Sequence, residues 1–265
     1  MLIAHLSDPH LRPRGVLYQG LVDSNAMFEA ALRQLEAMVP APDLVLLTGD
    51  LVDEGGAADY AMAAELLGRI QQKLVVIPGN HDEREAFRAC LGRNPFVAPS
   101  GPLHAAVGDA GAVRVLALDV TVPGRHHGEM DDAACLWLEA RLAEEPERPT
   151  LIMMHQPPFE SGIGCIDAYC CRQGQRLAAI VSRYPAVERI LCGHIHRFMQ
   201  LRFGGTLLVT APSTTTAIAL RLGAGAVPAS FVEPPALLLH HWREGTGLVT
   251  HWVPIGSFPG PMPFF

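Results

Sequence analysis

Residues 2–10 read LIAHLSDPH, a short apolar run that ends in an aspartate and a histidine. The same arrangement recurs along the chain in LVLLTGD (44–50), LVVIPGNHD (74–82), LIMMH (151–155) and RILCGHIH (189–196). Each run predicts a strand, so each polar motif falls where a strand ends and a loop begins. Ligands and catalytic groups gather at strand ends in α/β sheets, and we therefore expect the five motifs to meet in one site.

The chain alternates apolar runs with amphipathic segments, which predicts a layered α/β fold. The predicted strands cover residues 2–7, 44–48, 74–78, 113–119, 150–155, 188–192 and 207–210. The predicted helices cover residues 25–38, 58–71, 131–144 and 173–184. In the first helix Met27, Ala31 and Leu35 share one face, so we expect the helices to cover the sheet.

The sequence changes character after residue 211, and we divide the chain into residues 1–211 and a C-terminal cap of residues 212–265. Within the cap, residues 236–242 and 248–253 flank REGTG at 243–247, which predicts a hairpin. The tail at residues 258–265 is rich in proline and phenylalanine. We expect it to form an extended arm that lies on another subunit of a homo-oligomer, because its apolar side chains would otherwise be exposed.

Composition restricts the function. The chain has 265 residues, is 49% hydrophobic and carries a formal net charge of −7, which suits one α/β domain with a modest addition. It offers no basic stripe to neutralise a nucleic-acid backbone, so a polynucleotide substrate is disfavoured. A small phosphorylated anion is compatible with this charge, because two divalent cations would outweigh it inside a cleft.

The N-terminus and the cysteines favour the cytoplasm. Residues 1–6 read MLIAHL, which lacks the basic start and long apolar core of a signal peptide. We find no apolar run long enough to cross a bilayer, so no membrane contact is expected. The six cysteines show neither zinc-finger spacing nor a dense disulfide pattern, and we expect reduced structural thiols. Cys170 and Cys171 are the pair in which redox chemistry would be sought.

The polar motifs contain the ligand types of a two-metal site. Their candidate ligands are Asp8, His10, Asp50, Asn80, His155, His194 and His196. Asp8 and His10 lie two residues apart, so both can point to one side of an extended strand. Asp50 follows a glycine that permits a tight turn, and its two oxygens could each take one ion. Oxygen and nitrogen ligands without thiolates suit Mn, Fe, Co or Zn.

Each motif alone has a simpler interpretation. Asp8 could be a turn residue, His155 a hydrogen-bonded core histidine, and His194 with His196 could face a solvent groove. None of these interpretations requires every candidate to fall at a predicted strand end. The joint pattern therefore favours the metal site.

The set D-x-H, G-D, G-N-H-D, H and G-H-x-H resembles the calcineurin-like metallophosphoesterase superfamily over roughly residues 1–212. GNHD at 79–82 is similar to the bacterial cyclic-nucleotide phosphodiesterase and glycerophosphodiesterase branch. Protein serine/threonine phosphatases instead have G-D-x-x-D-R-G and G-N-H-E. Here Glu54 stands at the arginine position, which argues against a phosphoprotein substrate.

The resemblance implies a four-layer α/β/β/α sandwich with a small C-terminal cap and two divalent or mixed-valence metal ions. The first ion would be held by Asp8, His10, Asp50 and His196, and the second by Asp50, Asn80, His155 and His194. In this family a metal-bound hydroxide attacks phosphorus in line with the leaving group. His81 matches the catalytic histidine, which stabilises the charge at phosphorus or protonates the departing alkoxide. Asn80 and His196 would join His81 in binding the substrate.

Several polar residues keep two interpretations. Asp82 either orients His81 or a ligand, or caps a helix over residues 83–91. For His5 a role in the core is favoured over a catalytic one. Solvated loops are favoured over substrate contact for Arg12, Arg14, His126 and His127. Residues 213–216 could line the entrance or cap turns.

The sequence thus predicts a metal-dependent phosphoric diester hydrolase that acts on a small phosphodiester. A 3′,5′-cyclic nucleotide and a glycerophosphodiester both remain candidates. The alternatives are a broad phosphomonoesterase or nuclease using the same site, and a noncatalytic interaction protein on the same scaffold. The last is disfavoured because every ligand position is filled.

Overall fold

The computed structural model describes residues 1–108, 111–223 and 225–263. In these ranges the strands are β1 (Leu2–Leu6), β2 (Leu44–Thr48), β3 (Lys73–Ile77), β4 (Ala105–Val107), β5 (Arg114–Ala117), β6 (Thr150–Met153), β7 (Val187–Cys192), β8 (Met199–Phe203), β9 (Thr206–Thr210), β10 (Ala217–Ile218), β11 (Ser230–Phe231), β12 (Ala236–Arg243) and β13 (Gly247–Pro254). The helices are α1 (Ser24–Glu36), α2 (Ala57–Leu67), α3 (Arg84–Leu91), α4 (Asp132–Glu144), α5 (Gly164–Asp167) and α6 (Gly174–Val181).

Two large sheets form the centre of the fold. The first has the strand order β13-β12-β1-β2-β3, and the second has the order β4-β5-β6-β7-β9-β8. The strands β1 to β3 run parallel, as do β5, β6, β7 and β9. Parallel neighbours place their carboxyl ends at one edge of a sheet. This geometry brings His10 and His196 together although 186 residues separate them in the chain.

Three apolar layers hold the sandwich together and confirm the predicted four-layer arrangement. Helices α1, α2 and α3 pack on the outer face of the first sheet, where Phe28 and Phe87 are fully buried. Helices α4 and α6 pack on the outer face of the second sheet. The inner layer contains Ile3 and Leu46 from one sheet and Met153 from the other. Because both faces of the central strands are buried, these strands read as continuous apolar runs.

Every strand and helix predicted above is present, with ends shifted by at most four residues. The edge strands β4 and β8 were missed. In β8 half-buried and exposed residues alternate, so it lacks the apolar run that marks a central strand. In the second sheet, sequence periodicity therefore identified the interior strands better than the edge strands.

The C-terminal hairpin is present, but it is built into the first sheet. Strand β12 pairs antiparallel with β1, placing His240 opposite Ile3, and β13 pairs with β12. Leu237 and Leu238 are fully buried in the two apolar layers on either side of this sheet. The hairpin thus belongs to the sandwich and not to a separate cap. The division into a catalytic domain of residues 1–211 and a cap of residues 212–265 stays a prediction.

The remaining C-terminal segments lie outside the two large sheets. Residues 212–235 contain the short strands β10 and β11, which pair with each other. Residues 255–263 have neither helix nor strand, and Phe258 and Met262 there are exposed. Phe264 and Phe265, the end of the predicted arm, lie outside the described residues. No helix in the described ranges has both the length and the apolar character to span a membrane.

Candidate metal centre

The seven candidate ligands converge where the two sheets meet. They follow five strands: Asp8 and His10 after β1, Asp50 after β2, Asn80 after β3, His155 after β6, and His194 and His196 after β7. Within the first sheet, the backbone N–H of His10 donates to the carbonyl of Asp50 at 3.1 Å. Across the sheets, the N–H of His194 donates to both carboxylate oxygens of Asp8 at 3.1 Å.

The backbone is bent sharply at most of these ligands. Among the described residues, seven that are not glycine have a positive φ, and five of them are the candidate ligands Asp8, His10, Asp50, His194 and His196, with φ between 44° and 69°. The left-handed region is costly for residues with a Cβ and persists where the surrounding structure enforces it. The strands therefore hold these five residues in a conformation that turns their side chains toward one centre.

One cluster joins Asp8, His10, Asp50 and His196, and its ligand atoms all lie within 4.8 Å of one another. His10 Nε2 is 3.1 Å from His196 Nε2 and 3.7 Å from Asp50 Oδ2. His196 Nε2 is also 3.5 Å from Asp8 Oδ1. All four side chains are buried, and His10, Asp50 and His196 also line a cavity.

A second cluster joins Asp50, His155 and His194 within the same distance. His155 Nε2 lies 3.3 Å from Asp50 Oδ2 and 3.3 Å from His194 Nδ1. Asn80 Oδ1 lies 3.2 Å from the same His155 nitrogen. Asp50 belongs to both clusters, so the structure arranges the seven residues as two adjoining groups with one shared carboxylate.

The histidine tautomers suit metal ions. His155 Nδ1 lies 2.7 Å from the carbonyl of Thr48, and His196 Nδ1 lies 2.9 Å from the carbonyl of Thr216. A carbonyl can only accept, so each Nδ1 carries a proton, and whenever the ring is neutral its lone pair is on Nε2. Such lone pairs face the carboxylates of the clusters, and His194 Nε2 has no hydrogen-bond partner among the described residues. Such a set of donors fits divalent cations, and a carbonyl on the far nitrogen is the usual support for a ligating histidine.

The buried carboxylates attract positive charge to the site. Burial alone would raise the pKa of Asp50, but the neighbouring His155 and His81 hold that pKa well below its usual value. Burial would lower the pKa of His155, but Asp50, Asp8 and the hydrogen bonds of the ring raise it to about 9. Burial, helped by His155, lowers the pKa of His194 to about 3. A metal ion between these groups would supply the charge that a proton on His155 otherwise supplies.

Asp53 is a site residue that the sequence reasoning missed. Its Oδ1 is 3.5 Å from His10 Nδ1 and 3.6 Å from His81 Nδ1, and its carbonyl accepts a hydrogen bond from His81 Nδ1 at 2.7 Å. The only signal was its place three residues after Asp50. Arg12 Nη1 lies 3.2 Å from Asp53 Oδ2 and the arginine is 8% exposed, so the expectation of a solvated Arg12 was wrong.

Residues 213–216 also proved to be structural supports of the site. The hydroxyls of Ser213 and Thr215 donate to the carbonyl of Asp8 at 2.8 and 3.3 Å, and the carbonyl of Thr216 accepts from His196. These contacts hold the loops of both sheets. Both predicted roles are also present, because Thr216 lines the cavity and the Ser213 hydroxyl caps a turn by accepting from the N–H of Thr215 at 2.9 Å. The contacts with Asp8 and His196 were not predicted, because those residues are distant in sequence.

Asp82 holds the motif loop in place. Its Oδ2 accepts hydrogen bonds from the backbone N–H groups of Leu51 at 3.0 Å and Gly79 at 2.9 Å, and its Oδ1 accepts from the hydroxyl of Tyr60. The N-cap of α3 is Glu83, whose side chain accepts from the N–H of Ala86. The cap interpretation of Asp82 was therefore wrong, and its contacts are those of a residue that orients the loop.

A cavity of about 560 Å³ opens in front of the clusters. His81 and Asn80 line it, and so does His126, whose Nδ1 lies 3.3 Å from Asn80 Nδ2. His126 is exposed, as expected for a surface loop, and it also lines the mouth of this cavity. Its ring also contacts Tyr169 at a centroid distance of 5.4 Å.

The remaining ambiguous residues lie away from the clusters. Arg14 is exposed and pairs with Glu65 at 2.5 Å, as expected for a solvated loop.

Burial raises the pKa of the Cys170 thiol to about 12, and burial also raises the pKa of Cys171, so both stay protonated. The pair shows none of the thiolate character that redox chemistry requires.

The sandwich and its paired clusters define a class of metal-dependent hydrolase. The chain belongs to the family described as Calcineurin-like phosphoesterase, which matches residues 1–198. Calcineurin-like phosphoesterases use a dinuclear metal centre. Among solved structures, a dimetal phosphatase from Danio rerio matches 97% of this chain and 99% of its own with a TM-score of 0.67 at 12% identity, which shows the shared fold.

Two groups of curated relatives differ in the substrate that they are named for. A probable glycerophosphodiester phosphodiesterase GpdQ from Arcobacter nitrofigilis is 32% identical over 266 residues, covering 100% of this chain and 97% of the relative. The 3′,5′-cyclic adenosine monophosphate phosphodiesterase CpdA from Escherichia coli K12 is 32% identical over 215 residues, covering 80% and 75%. Both names support a hydrolase of phosphoric diesters.

Replacing Gly193 with alanine is expected to weaken metal binding. A Cβ at Gly193 would lie 2.8 Å from Asp8 Oδ2 and closer still to Ser7 Oγ, so the Asp8 side chain would have to move. We expect metal affinity to fall by about 10- to 100-fold, the range for lost support of a ligand. Equilibrium dialysis against Mn²⁺ measures this. Gly164→Ala is the control, because its Cβ would meet nothing within 4 Å. Equal affinities of the two variants would contradict the argument.

Proposed function

We propose that this protein is a two-metal phosphodiesterase that hydrolyses a small phosphodiester. The observation that carries the proposal is the pair of buried clusters that share Asp50. Asp8, His10, Asp50 and His196 would hold one ion, and Asp50, Asn80, His155 and His194 the other. The oxygen and nitrogen donors suit Mn, Fe, Co or Zn in divalent or mixed-valence form. When bound, such a pair polarises phosphoryl oxygens and activates a water molecule.

His81 is the proposed catalytic residue. It lines the cavity beside Asn80, and its Nδ1 donates to the carbonyl of Asp53 at 2.7 Å, which leaves Nε2 free for the substrate. Burial lowers the pKa of His81, but the charges of Asp50, Asp53 and Asp82 outweigh burial and raise it. A raised pKa favours the protonated ring, which can donate a proton to the departing alkoxide. Asn80 and His196 line the same cavity and would join His81 in contacting the phosphoryl group.

The cavity supports a small substrate with little charge beyond its phosphodiester. Within the described residues, its lining contains no lysine or arginine, and Asp50 is its only carboxylate. A volume of about 560 Å³ suits a molecule of nucleotide or glycerophosphodiester size. The absence of cationic side chains from this lining gives no support for a polynucleotide substrate, in agreement with the net charge of −7.

The proposal is tested with a panel of substrates in the presence of Mn²⁺, Co²⁺ or Zn²⁺. We expect turnover of cyclic AMP, glycerophosphocholine or glycerophosphoethanolamine, and faster turnover of bis(p-nitrophenyl) phosphate than of p-nitrophenyl phosphate. Preference for the monoester would favour a phosphomonoesterase, and degradation of single-stranded DNA a nuclease. No turnover with any metal, together with no metal binding, would favour a noncatalytic scaffold.

Replacing His81 with alanine should separate catalysis from metal binding. We expect turnover to fall by about two to four powers of ten, the range for a lost general acid or base, with metal content nearly unchanged. Steady-state kinetics and metal analysis of the purified variant measure both quantities. The matched control is His251→Ala, since His251 is an exposed histidine of β13. Unchanged turnover in His81→Ala would exclude the assigned role.

We also propose that the protein forms a homo-oligomer through its C-terminal segment. Support comes from a group of side chains in or beside β10 and β11 that are between 52% and 70% exposed: Leu220, Leu222, Val227, Phe231 and Val232. A patch of this kind is typical of a contact between protein chains. Sedimentation at micromolar concentration would disprove the proposal if it showed a single monomeric species.

We also propose a division of the chain into a catalytic domain of residues 1–211 and a C-terminal cap of residues 212–265, and a cytoplasmic location. Residues 1–211 supply every candidate ligand, whereas Thr216, Ile218 and residues 228–230 form one wall of the cavity. A cytoplasmic location is supported by the six cysteines, which are all free thiols.

A further inference from the structure

A row of polar side chains crosses the apolar layer between the two sheets. His5, Thr48 and His240 are fully buried on the inner face of the first sheet, and Thr250 follows on β13. Their neighbours in that layer are Ile3, Leu46, Leu238 and Leu248. Burying polar groups among aliphatic side chains costs free energy unless they are hydrogen-bonded. Aliphatic residues at these positions would avoid that cost, which indicates that the polar side chains have a role other than packing.

One end of the row reaches the metal centre. Ser7 Oγ donates to Asp8 Oδ2 at 2.5 Å, while its distance to the carbonyl of Thr48 is a longer 3.4 Å. Thr48 Oγ1 lies 2.8 Å from Ser7 Oγ and 2.8 Å from His5 Nε2. Asp8 Oδ2 therefore accepts the hydrogen bond of Ser7, whereas Asp8 Oδ1 lies 3.5 Å from His196 Nε2 within the first cluster.

The other end of the row reaches a cation on the second sheet. His5 Nδ1 lies 3.3 Å from His240 Nε2, and His240 Nδ1 lies 2.8 Å from Thr250 Oγ1. The same hydroxyl accepts a hydrogen bond from the guanidinium of Arg189, which lies on β7. Arg189 also donates to the carbonyl of Leu248 at 3.0 Å. The row therefore starts at a guanidinium and ends at a carboxylate.

The two ends fix the direction of every hydrogen bond between them. A guanidinium can only donate and an ionised carboxylate can only accept. Each hydroxyl and each neutral imidazole has one proton to give, so every group must accept from the Arg189 side and donate toward Asp8. Both histidines must then carry their proton on Nε2. Burial lowers the pKa of His5 to about 3 and, together with His5 and Arg189, lowers the pKa of His240, so both rings are neutral near pH 7.

We propose that His5 and His240 are positioning residues, which with Thr250, Thr48 and Ser7 form a one-way hydrogen-bond chain that fixes Asp8 for metal binding. The chain holds Oδ2 and leaves Oδ1 directed at the metal cluster. Bonds in such a row polarise one another, so a change at its far end weakens the last bond. The inference rests on the proposed two-metal function, but its proton positions are independent of that function.

Thr250 gives the sharpest test because it is distant from the ligands. Thr250→Val keeps the shape of the side chain but removes the hydroxyl, whereas Thr250→Ser keeps the hydroxyl. We expect Thr250→Val to lower Mn²⁺ affinity by about tenfold, at the low end for partners of ligating residues, and Thr250→Ser to match the original protein. Mn²⁺ titration by electron paramagnetic resonance measures this without any turnover.

A second measurement reads the proton positions directly. ¹⁵N chemical shifts of labelled histidines in the metal-free protein should show His5 and His240 neutral and protonated on Nε2 at pH 7. Thr250→Val should produce a mixture of tautomers at His240, and Thr250→Ser should not. A proton on Nδ1 of either ring in the original protein would overturn the chain.

The outcomes separate the inference from the proposed function. If the original protein binds no metal, the two-metal function fails while the tautomers still test the chain. If it binds metal and Thr250→Val binds equally well, the positioning role is overturned. Should Thr250→Val fail to fold, Thr48→Val with its control Thr48→Ser breaks the chain one link from Ser7 and carries the same expectation.

Discussion

The rest of the site depends on the burial of two carboxylates at the junction of the sheets. Asp8 is inaccessible to solvent and Asp50 is 2% exposed. Buried ionised groups are costly unless they are paired or bind metals. Two features of the centre offset the free-energy cost of burying these carboxylates. Imidazoles from the second sheet face them, and the backbone N–H groups of His81 and His194 donate hydrogen bonds to them. The same charges that would hold cations also bind the two sheets to each other.

The apolar layers make this arrangement sustainable. Five candidate ligands have left-handed backbone conformations, each of which costs free energy. Their strands are anchored on both faces by aliphatic side chains, so the loops cannot relax without disturbing three layers of packing. Gly193 contributes differently, since its missing Cβ leaves room for Ser7 and Asp8. Packing in the sandwich thus holds the five ligands in backbone conformations that an isolated loop would not keep.

The polar row from Arg189 to Asp8 extends the site into what is otherwise the most apolar layer of the molecule. Thr48 lies on β2, His240 on the C-terminal hairpin and Arg189 on the second sheet, so Asp8 is supported from three distant parts of the chain. This gives the hairpin a role beyond closing the edge of the first sheet. The polar row also explains why β1 contains the buried histidine His5. The sequence favours a core role for His5 but does not identify its hydrogen-bond partners.

The sequence by itself determined the central strands, the helices that cover them and the seven candidate ligands. These are local signals, because apolar periodicity and a polar motif at a strand end are both visible within about ten residues. The edge strand β8, the ion pairs of Arg12, the place of Asp53 beside His81 and the support of Asp8 by Ser213 were not visible in that way. Each depends on contacts between residues far apart in the chain, and only the packing of the two sheets decides which of many polar side chains meet. The hairpin shows the same limit: its turn could be predicted from REGTG, but its pairing with β1 could not, because strand order is set by tertiary packing and not by local sequence.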